Sequence, residues 1–190
     1  ILPRPDHRSA EDFRRFGRPR LGFLINSGVV DSMVNNYSVF KHRRKKDEYA
    51  PGGQAGGRPD RALIVYCNRA REAYKGVPVV IGGIEASLRR LGHYDYWSGK
   101  VRRSVLLDSK ADLLIYGMGE RAVVEIAEAL DAGIDIKDIH WIKGTCYRSS
   151  LPPEDEETIL LPDYDEIIRS KRRYAESFAV QFKNNDHISA

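Results

Sequence analysis

The sequence predicts an α/β fold, a Rossmann-like doubly wound parallel sheet. Three times along the chain a short apolar strand is followed by a glycine-containing turn and a helical segment, near residues 21–34, 78–91 and 113–130. This alternation is typical of parallel strands joined by crossover helices. The length agrees, because 190 residues correspond to one domain of ordinary size with or without an appendage.

The first unit of this pattern is built on the apolar run at 21–25, which predicts a strand ending at the Asn-Ser-Gly turn of residues 26–28. A short helix around Phe13 and Phe16 precedes the strand. Residues 29–34 predict a helical turn after it. The first strand is therefore followed by a helical segment, as in a crossover connection between parallel strands.

A basic insert at 40–58 interrupts the first crossover. It contains the cationic run 41–46 (Lys-His-Arg-Arg-Lys-Lys) and the glycine-rich stretch 51–57. A loop of this length inside a compact domain is often functional. The alternative is a solvated loop, which is the common structure of short charge runs.

Before the second strand, apolar residues at helical spacing predict a helix that begins at Pro59 and ends at Gly76. The β-branched run 77–81 then predicts a strand. A glycine pair, Gly82-Gly83, follows it at once, and residues 84–91 predict the next helix. Strand and helix are thus joined by a short turn made of two glycines.

The remaining elements are predicted in the same way. Residues 101–107 and 120–130 indicate helices around a strand at 113–116, and 139–142 and 145–148 indicate a hairpin around Lys143-Gly144. Residues 166–182 indicate one amphipathic helix. The predicted domains are 1–150, a Rossmann-like domain carrying the insert 40–58, and 151–190, a helical extension that includes the acidic run 154–157.

Composition excludes several classes of protein. The longest apolar runs are about five residues, whereas a membrane span needs about 20, so no membrane partner is predicted. Two cysteines, Cys67 and Cys146, are too few for a disulfide-stabilised secreted domain and predict a reducing, cytoplasmic location. They are also too few for a four-iron cluster, and the scattered histidines predict no metal site in this chain.

Candidate cofactor-binding residues lie in the turns that follow the strands. In doubly wound sheets, ligands bind beyond the carboxyl ends of the strands, and helix N-termini favour anions. The alternative is that these turns are tight connections with no ligand. Gly117-Met118-Gly119 is not a complete dinucleotide fingerprint, because Ala122 stands in place of the third glycine. The candidates are Asn26, Ser27, Gly82, Gly83, Gly117, Gly119 and Glu120.

Candidate substrate-binding residues are cationic or aromatic. The run 93–97 (His-Tyr-Asp-Tyr-Trp) brings an imidazole, a carboxylate and three aromatic rings together. Such a group either stacks on a planar ligand or forms a buried cluster whose polar atoms are hydrogen-bonded. Arginines beside it suit an anionic or RNA-like substrate, although solubilising arginines have the same sequence pattern. The candidates are Arg89, Arg90, His93, Arg102 and Arg103, together with the cationic run 41–46. No catalytic residue is predicted.

Several long strings resemble the YgiQ-like family of radical SAM proteins. They are Ser-Gly-Val-Val-Asp-Ser-Met-Val-Asn-Asn-Tyr at 27–37, Pro-Gly-Gly at 51–53 with Arg-Pro-Asp-Arg-Ala at 58–62, Ile-Gly-Gly-Ile-Glu-Ala-Ser-Leu-Arg-Arg at 81–90, His-Tyr-Asp-Tyr-Trp at 93–97, Lys-Val-Arg-Arg-Ser at 100–104, Asp-Ser-Lys-Ala-Asp at 108–112, and Gly-Met-Gly-Glu-Arg at 117–121. The resemblance extends over residues 10–182.

The resemblance implies a cobalamin-binding-type fold for this region, followed in the family by a radical SAM barrel with a C-x3-C-x2-C motif. Three cysteines of that motif hold a 4Fe-4S cluster that binds S-adenosylmethionine and generates a 5′-deoxyadenosyl radical. This chain has no such motif. It therefore resembles an internal piece of the family's N-terminal region, incomplete at its own N-terminus. The D-x-H-x-x-G pattern of cobalamin's lower ligand is also absent from these residues. Three alternatives follow: the pattern belongs to a missing N-terminal segment, the domain binds cobalamin without a protein ligand, or it keeps the fold and binds none, which is the simplest of the three.

Two functions follow as expectations. The first is an accessory domain of a cytoplasmic radical SAM enzyme, which covers a downstream barrel of the same polypeptide and shapes its substrate or cofactor site, without being catalytic alone. The alternative is a non-catalytic module that binds a nucleotide or nucleic acid through the basic insert. The substrate and the oligomeric state are not predicted by the sequence.

Overall fold

The computed structural model describes residues 1–152 and 157–184, which form two compact units. The first unit comprises residues 1–91 and 104–148, and the second comprises residues 92–103 and the chain from 149 onward. The helices are α1 (Glu11–Arg14), α2 (Ser32–Asn36), α3 (Ala62–Ala73), α4 (Gly83–Leu88), α5 (Val105–Asp108), α6 (Glu120–Asp131), α7 (Tyr164–Arg169) and α8 (Lys171–Lys183). The strands are β1 (Phe23–Ile25), β2 (Val79–Ile81), β3 (His93–Asp95), β4 (Lys100–Arg102), β5 (Leu113–Ile115) and β6 (Thr145–Cys146).

The first unit is organised around a four-stranded sheet with strand order β1-β2-β5-β6. β1, β2 and β5 are parallel, and the short edge strand β6 is antiparallel to β5. The register places Ile81 beside Ile25 on one side and Leu114 on the other. The predicted α/β class with a mostly parallel sheet is therefore confirmed.

Helices cover both faces of this sheet, because the side chains of each strand alternate between two apolar layers. Val79, Ile81 and Leu114 pack with α3, α4 and α5. Val80 and Leu113 point the other way and pack with α6. Burial of this kind contributes about 25 cal/mol per Å² of apolar surface, which makes the two layers the main source of stability.

Three predicted elements differ from the structure. α3 begins at Ala62 and not at Pro59, because Arg61 adopts a left-handed conformation with φ of 51°. Residues 101–107 are not one helix: Val101 lies in β4, and α5 begins only after Ser104, whose hydroxyl caps it. The predicted helix 166–182 is two helices, since Ser170 ends α7 and caps α8.

The predicted hairpin over 139–148 is also wrong. Ile139 and Ile142 are buried in the layer beneath α6 instead of forming a strand. Thr145 and Cys146 pair with β5, opposite Ile115 and Leu114. A two-residue strand carries no alternating pattern, so its partner is decided by the sheet edge that is available.

The second unit contains a β3–β4 hairpin and the helix pair α7–α8. The hairpin pairs His93 with Arg102 and Asp95 with Lys100. Its link to the helices is close, because a side chain at Gly92 would come within 2.5 Å of Ile167 Cδ1. α7 has a capping box between Asp163 and Glu166. The acidic run 154–157 lies largely outside the described residues.

Candidate functional site at the carboxyl edge of the sheet

The turn after β1 is closed by its own polar side chains. Asn26 Oδ1 accepts a hydrogen bond from the Gly28 amide at 2.8 Å, the geometry of an Asx turn. The buried Ser27 hydroxyl donates to the Val30 carbonyl at 3.3 Å. Both predicted polar groups therefore have a structural role.

The turn after β2 contains the predicted glycine pair. The Gly82 amide donates to the Ile25 carbonyl at 2.9 Å, which extends the ladder between β1 and β2. Gly83 has φ of +80°, a conformation that favours glycine. A Cβ at Gly83 would lie 3.2 Å from the Asn26 Cβ, so the turns after β1 and β2 touch.

The turn after β5 joins the same edge. The Ser87 hydroxyl donates to the Gly83 carbonyl at 3.0 Å and accepts from the Gly117 amide at 3.2 Å. Gly119 is needed for space, because a Cβ there would lie 2.6 Å from Ile115 Cγ2. Glu120 is exposed in the first turn of α6. The structure thus brings six of the seven cofactor candidates to one edge, with Glu120 beginning the adjoining helix.

The candidate substrate residues divide between the two units. Arg90 lies at the carboxyl edge, where it donates to the Ser87 carbonyl at 2.8 Å and stacks 5.0 Å above the Tyr116 ring. His93, Arg102 and Arg103 belong to the second unit. Whether these residues contact a substrate stays a prediction.

Arg89 forms an ion pair with Asp31, and both side chains are largely buried, at 14% and 4% exposure. Asp31 also accepts from the Met33 and Val34 amides and so caps α2. The pair ties the turn after β1 to the end of α4. This position indicates that Arg89 stabilises the packing of the turn after β1 against α4.

Glu85 is the second buried charge under this edge, at 1% exposure. One carboxylate oxygen accepts from the Ser32 amide at 2.9 Å and the other from the Leu63 amide at 3.3 Å. These amides lie in the first turns of α2 and α3, where unpaired N–H groups and the helix dipole favour a negative charge. One carboxylate therefore holds two helix starts together.

A further set of contacts fixes the insert to the sheet. Asn36 donates to the Arg58 carbonyl at 3.1 Å and to Asp60 at 2.8 Å. The Tyr37 hydroxyl donates to the other Asp60 oxygen at 2.6 Å, and this bond raises the pKa of Tyr37. Arg58 is buried and donates to the Val30 carbonyl. The two ends of the insert are therefore held together, and Arg58 ties them to the turn after β1.

Sequence reasoning proposed Arg89 only as a substrate-binding residue and missed the other buried polar residues, although all of them lie inside the strings that carry the family resemblance. The only local signal was Asp31, which precedes a helix as a typical N-cap. The pairing of Arg89 with Asp31 and of Glu85 with two amides joins segments far apart in the chain. Periodicity and spacing do not report such contacts.

The two cysteines do not form a metal site. Burial is the main cause that raises the pKa of Cys67 to about 12 and of Cys146 to about 11, so both thiols stay protonated at neutral pH. Within residues 1–152 and 157–184, no group of three or more metal-ligating side chains is present. The described residues therefore do not fit an iron–sulfur cluster.

The carboxyl edge also exposes apolar side chains. They come from the turns after β1 and β5 and from one face of α4, around the glycine turns described above. Their exposures are 73% for Val29, 44% for Ile84, 62% for Leu88 and 89% for Met118. We call these four residues the edge patch. No helix in the described part of the chain is long and apolar enough to cross a membrane.

Comparison with known proteins defines the class. Residues 1–190 match the family described as radical SAM N-terminal. A UPF0313 protein of Clostridium perfringens strain ATCC 13124 is 57% identical over 189 residues, and a UPF0313 protein of Clostridium botulinum strain 657 is 50% identical over 190 residues. These alignments cover 99% of this chain but only 28% and 29% of the relatives. No solved structure matches the chain.

The chain belongs to the radical SAM N-terminal family, because the family match covers all of its residues. It spans less than a third of the length of the curated relatives it matches. The match agrees with a domain that works as part of a larger polypeptide.

Proposed function

We propose that this chain is the accessory domain of a YgiQ-like radical SAM protein and that its carboxyl edge packs against the remainder of the polypeptide. The observation that carries the proposal is the edge patch: four exposed apolar residues, two in the turns after β1 and β5 and two on α4, surround turns that cross-loop hydrogen bonds hold in place. Exposed apolar side chains gathered at one edge of a domain are typical of an interface. The partner in this proposal is the rest of the same polypeptide, since most of the length of the relatives lies outside the region that matches this chain.

The proposal assigns the radical chemistry to the remainder of the polypeptide. A 4Fe-4S cluster needs thiolate ligands, and neither Cys67 nor Cys146 supports that role, because Cys67 is buried, Cys146 is half-buried and the pKa of each thiol is raised. The cluster and S-adenosylmethionine belong to a downstream C-x3-C-x2-C segment in this proposal. The proposal therefore requires that the full reading frame encode a C-x3-C-x2-C segment.

The proposal leaves cobalamin out of this domain. Its support is that three of the edge glycines have reasons that need no ligand: Gly83 and Gly117 have positive φ, and a Cβ at Gly119 would clash with Ile115. Equilibrium dialysis of the full-length protein against hydroxocobalamin tests this point. Stoichiometric binding that is lost in the Gly82→Val variant, where an added Cβ meets only ordinary contacts with Ile115, would return Gly82 to the cofactor site.

Cysteine labelling of the full-length protein tests the interface. Met118→Cys places a thiol in the edge patch, and Val124→Cys places a matched thiol on the exposed side of α6, where Val124 is 54% exposed. Maleimide modification is followed at peptide level by mass spectrometry. We expect Met118→Cys to react about tenfold more slowly than Val124→Cys in the folded protein and equally fast in urea. Equal rates in the folded protein would remove the carboxyl edge as the interface.

A further inference from the structure

The insert carries a tight turn that presents an apolar tip. The Lys41 amide donates to the Ser38 carbonyl and the Ser38 amide to the His42 carbonyl, both at 2.9 Å, and Lys41 has φ of +62°. Val39 and Phe40 occupy the middle of this turn, at 70% and 80% exposure. We call residues 39–46 the basic tip.

Hydrogen bonds and two β-bridges close the base of the basic tip. Arg44 donates through its amide to the Asn36 carbonyl at 2.8 Å and through Nε to the Tyr37 carbonyl at 3.1 Å. β-Bridges join Tyr37 to Arg43 and Lys46 to Gln54. A surface that is ordered in advance loses less conformational entropy when it binds a ligand.

The basic tip is also strongly cationic. Residues 41–46 are all exposed and carry five formal positive charges, against a net charge of +4 for the whole chain. Arg43 lies 3.9 Å from Asp60, the edge of ion-pair distance. In the part of the chain that the structure describes, no carboxylate lies within ion-pair distance of Lys45 or Lys46. Their charges are therefore available to an anionic partner.

We propose that the basic tip binds single-stranded nucleic acid, with a base stacked on Phe40 and phosphates beside Lys45 and Lys46. Exposed aromatic rings next to a row of cations are the two elements that single-strand binding uses. A row of charges between two bridges suits a linear polyanion better than a flat anionic membrane. The proposal does not depend on the radical chemistry, and the network at Asn36 and Asp60 anchors the tip to the carboxyl edge.

The first experiment measures binding of the full-length protein to a fluorescein-labelled single-stranded RNA of about 20 nucleotides, longer than the site of a single-strand module. Lys45→Ala with Lys46→Ala should weaken binding about tenfold at low salt. It should also reduce the slope of log K against log salt by about 1.4, the value for two phosphate contacts. The matched control, Lys75→Ala with Lys137→Ala, removes the same charge from exposed positions elsewhere.

The second experiment separates stacking from charge. Phe40→Ala should weaken binding about 5- to 150-fold, the range for loss of one base–aromatic stack, without changing the salt slope. Phe40→Trp should restore it. Circular dichroism of each variant should match the parent, because the three side chains are exposed.

Three results would overturn the proposal. The first is unchanged affinity in the Lys45→Ala, Lys46→Ala variant. The second is an equal loss in the Lys75→Ala, Lys137→Ala control, which would indicate general charge attraction. The third is binding to phosphatidylserine-containing vesicles that RNA does not compete away and Phe40→Ala abolishes, which would indicate a membrane contact. Cluster reconstitution is measured separately, so failure here leaves the accessory-domain proposal intact.

Discussion

Two cation-containing regions of this protein have opposite environments. Beneath the carboxyl edge, Arg89 is paired with Asp31 in the interior. In the basic tip, Lys45 and Lys46 stand in solvent. The sequence placed all three among the candidates for an anionic substrate. The structure indicates that a cation with a buried carboxylate partner organises the fold, whereas one that lies in solvent away from carboxylates is available for binding.

The physical reason for the difference is the cost of desolvation. A buried charge loses its hydration and is tolerated only when an opposite charge or several hydrogen bonds compensate it. An exposed charge has no such requirement. Substitutions in the two regions should therefore separate stability from binding.

The largest expected effect is at the buried pair. Arg89→Leu leaves the Asp31 carboxylate buried without its partner and should lower the free energy of unfolding by about 3–5 kcal/mol. Asp31→Asn combined with Arg89→Leu should recover much of that loss, because Asn keeps an oxygen to cap α2 without a charge. Urea denaturation measures both. In the control, Lys45→Ala should stay within about 0.5 kcal/mol of the parent. An Arg89→Leu cost as small as the control's would contradict the comparison.

A smaller effect on stability is expected at Glu85, whose buried carboxylate is held by hydrogen bonds from backbone amides. Glu85→Gln keeps the shape and turns one acceptor into a donor that faces a backbone amide. The free energy of unfolding should fall by about 1–3 kcal/mol, the cost of an unsatisfied buried group. Hydrogen exchange should accelerate at whichever of the Ser32 and Leu63 amides faces the new NH2 group, since each amide donates to a different oxygen of Glu85. Unchanged exchange at both amides would show that the carboxylate does not join α2 to α3.

The same comparison explains how much the sequence could predict. The three parallel strands and α6 follow from apolar runs and helical spacing, which depend on neighbours in the chain. β6 was misplaced because two residues carry no alternation, and the break at Ser170 was missed because the apolar spacing continues across it. The role of Arg89 depends on Asp31, far away in the chain. Local patterns therefore predicted the layers of the sheet but not which charges are buried between them.

The smallest effect is expected in a third environment, where charges are paired but exposed. In the second unit, Arg173 lies 2.9 Å from a Glu166 oxygen and 2.7 Å from a Glu176 oxygen. The hydrogen bond from Arg173 is the main cause that lowers the pKa of each carboxyl below its ordinary value of 4.5. A carboxyl with a lowered folded-state pKa adds stability above its unfolded pKa, and this stability is lost as pH falls through the folded-state value.

Arg173→Gln should therefore raise the pKa of Glu166 and Glu176 toward 4.5, as measured by NMR titration of the side-chain carboxyls. Arg169→Gln, at an exposed arginine in the last turn of α7, is the control and should leave both values in place. The difference in stability between parent and Arg173→Gln should be small at neutral pH, since solvent screens exposed pairs. It should shrink further below pH 4.5 as the carboxylates protonate. A loss as large as that of Arg89→Leu would mean that pairing alone, and not burial, decides which charges hold this fold together.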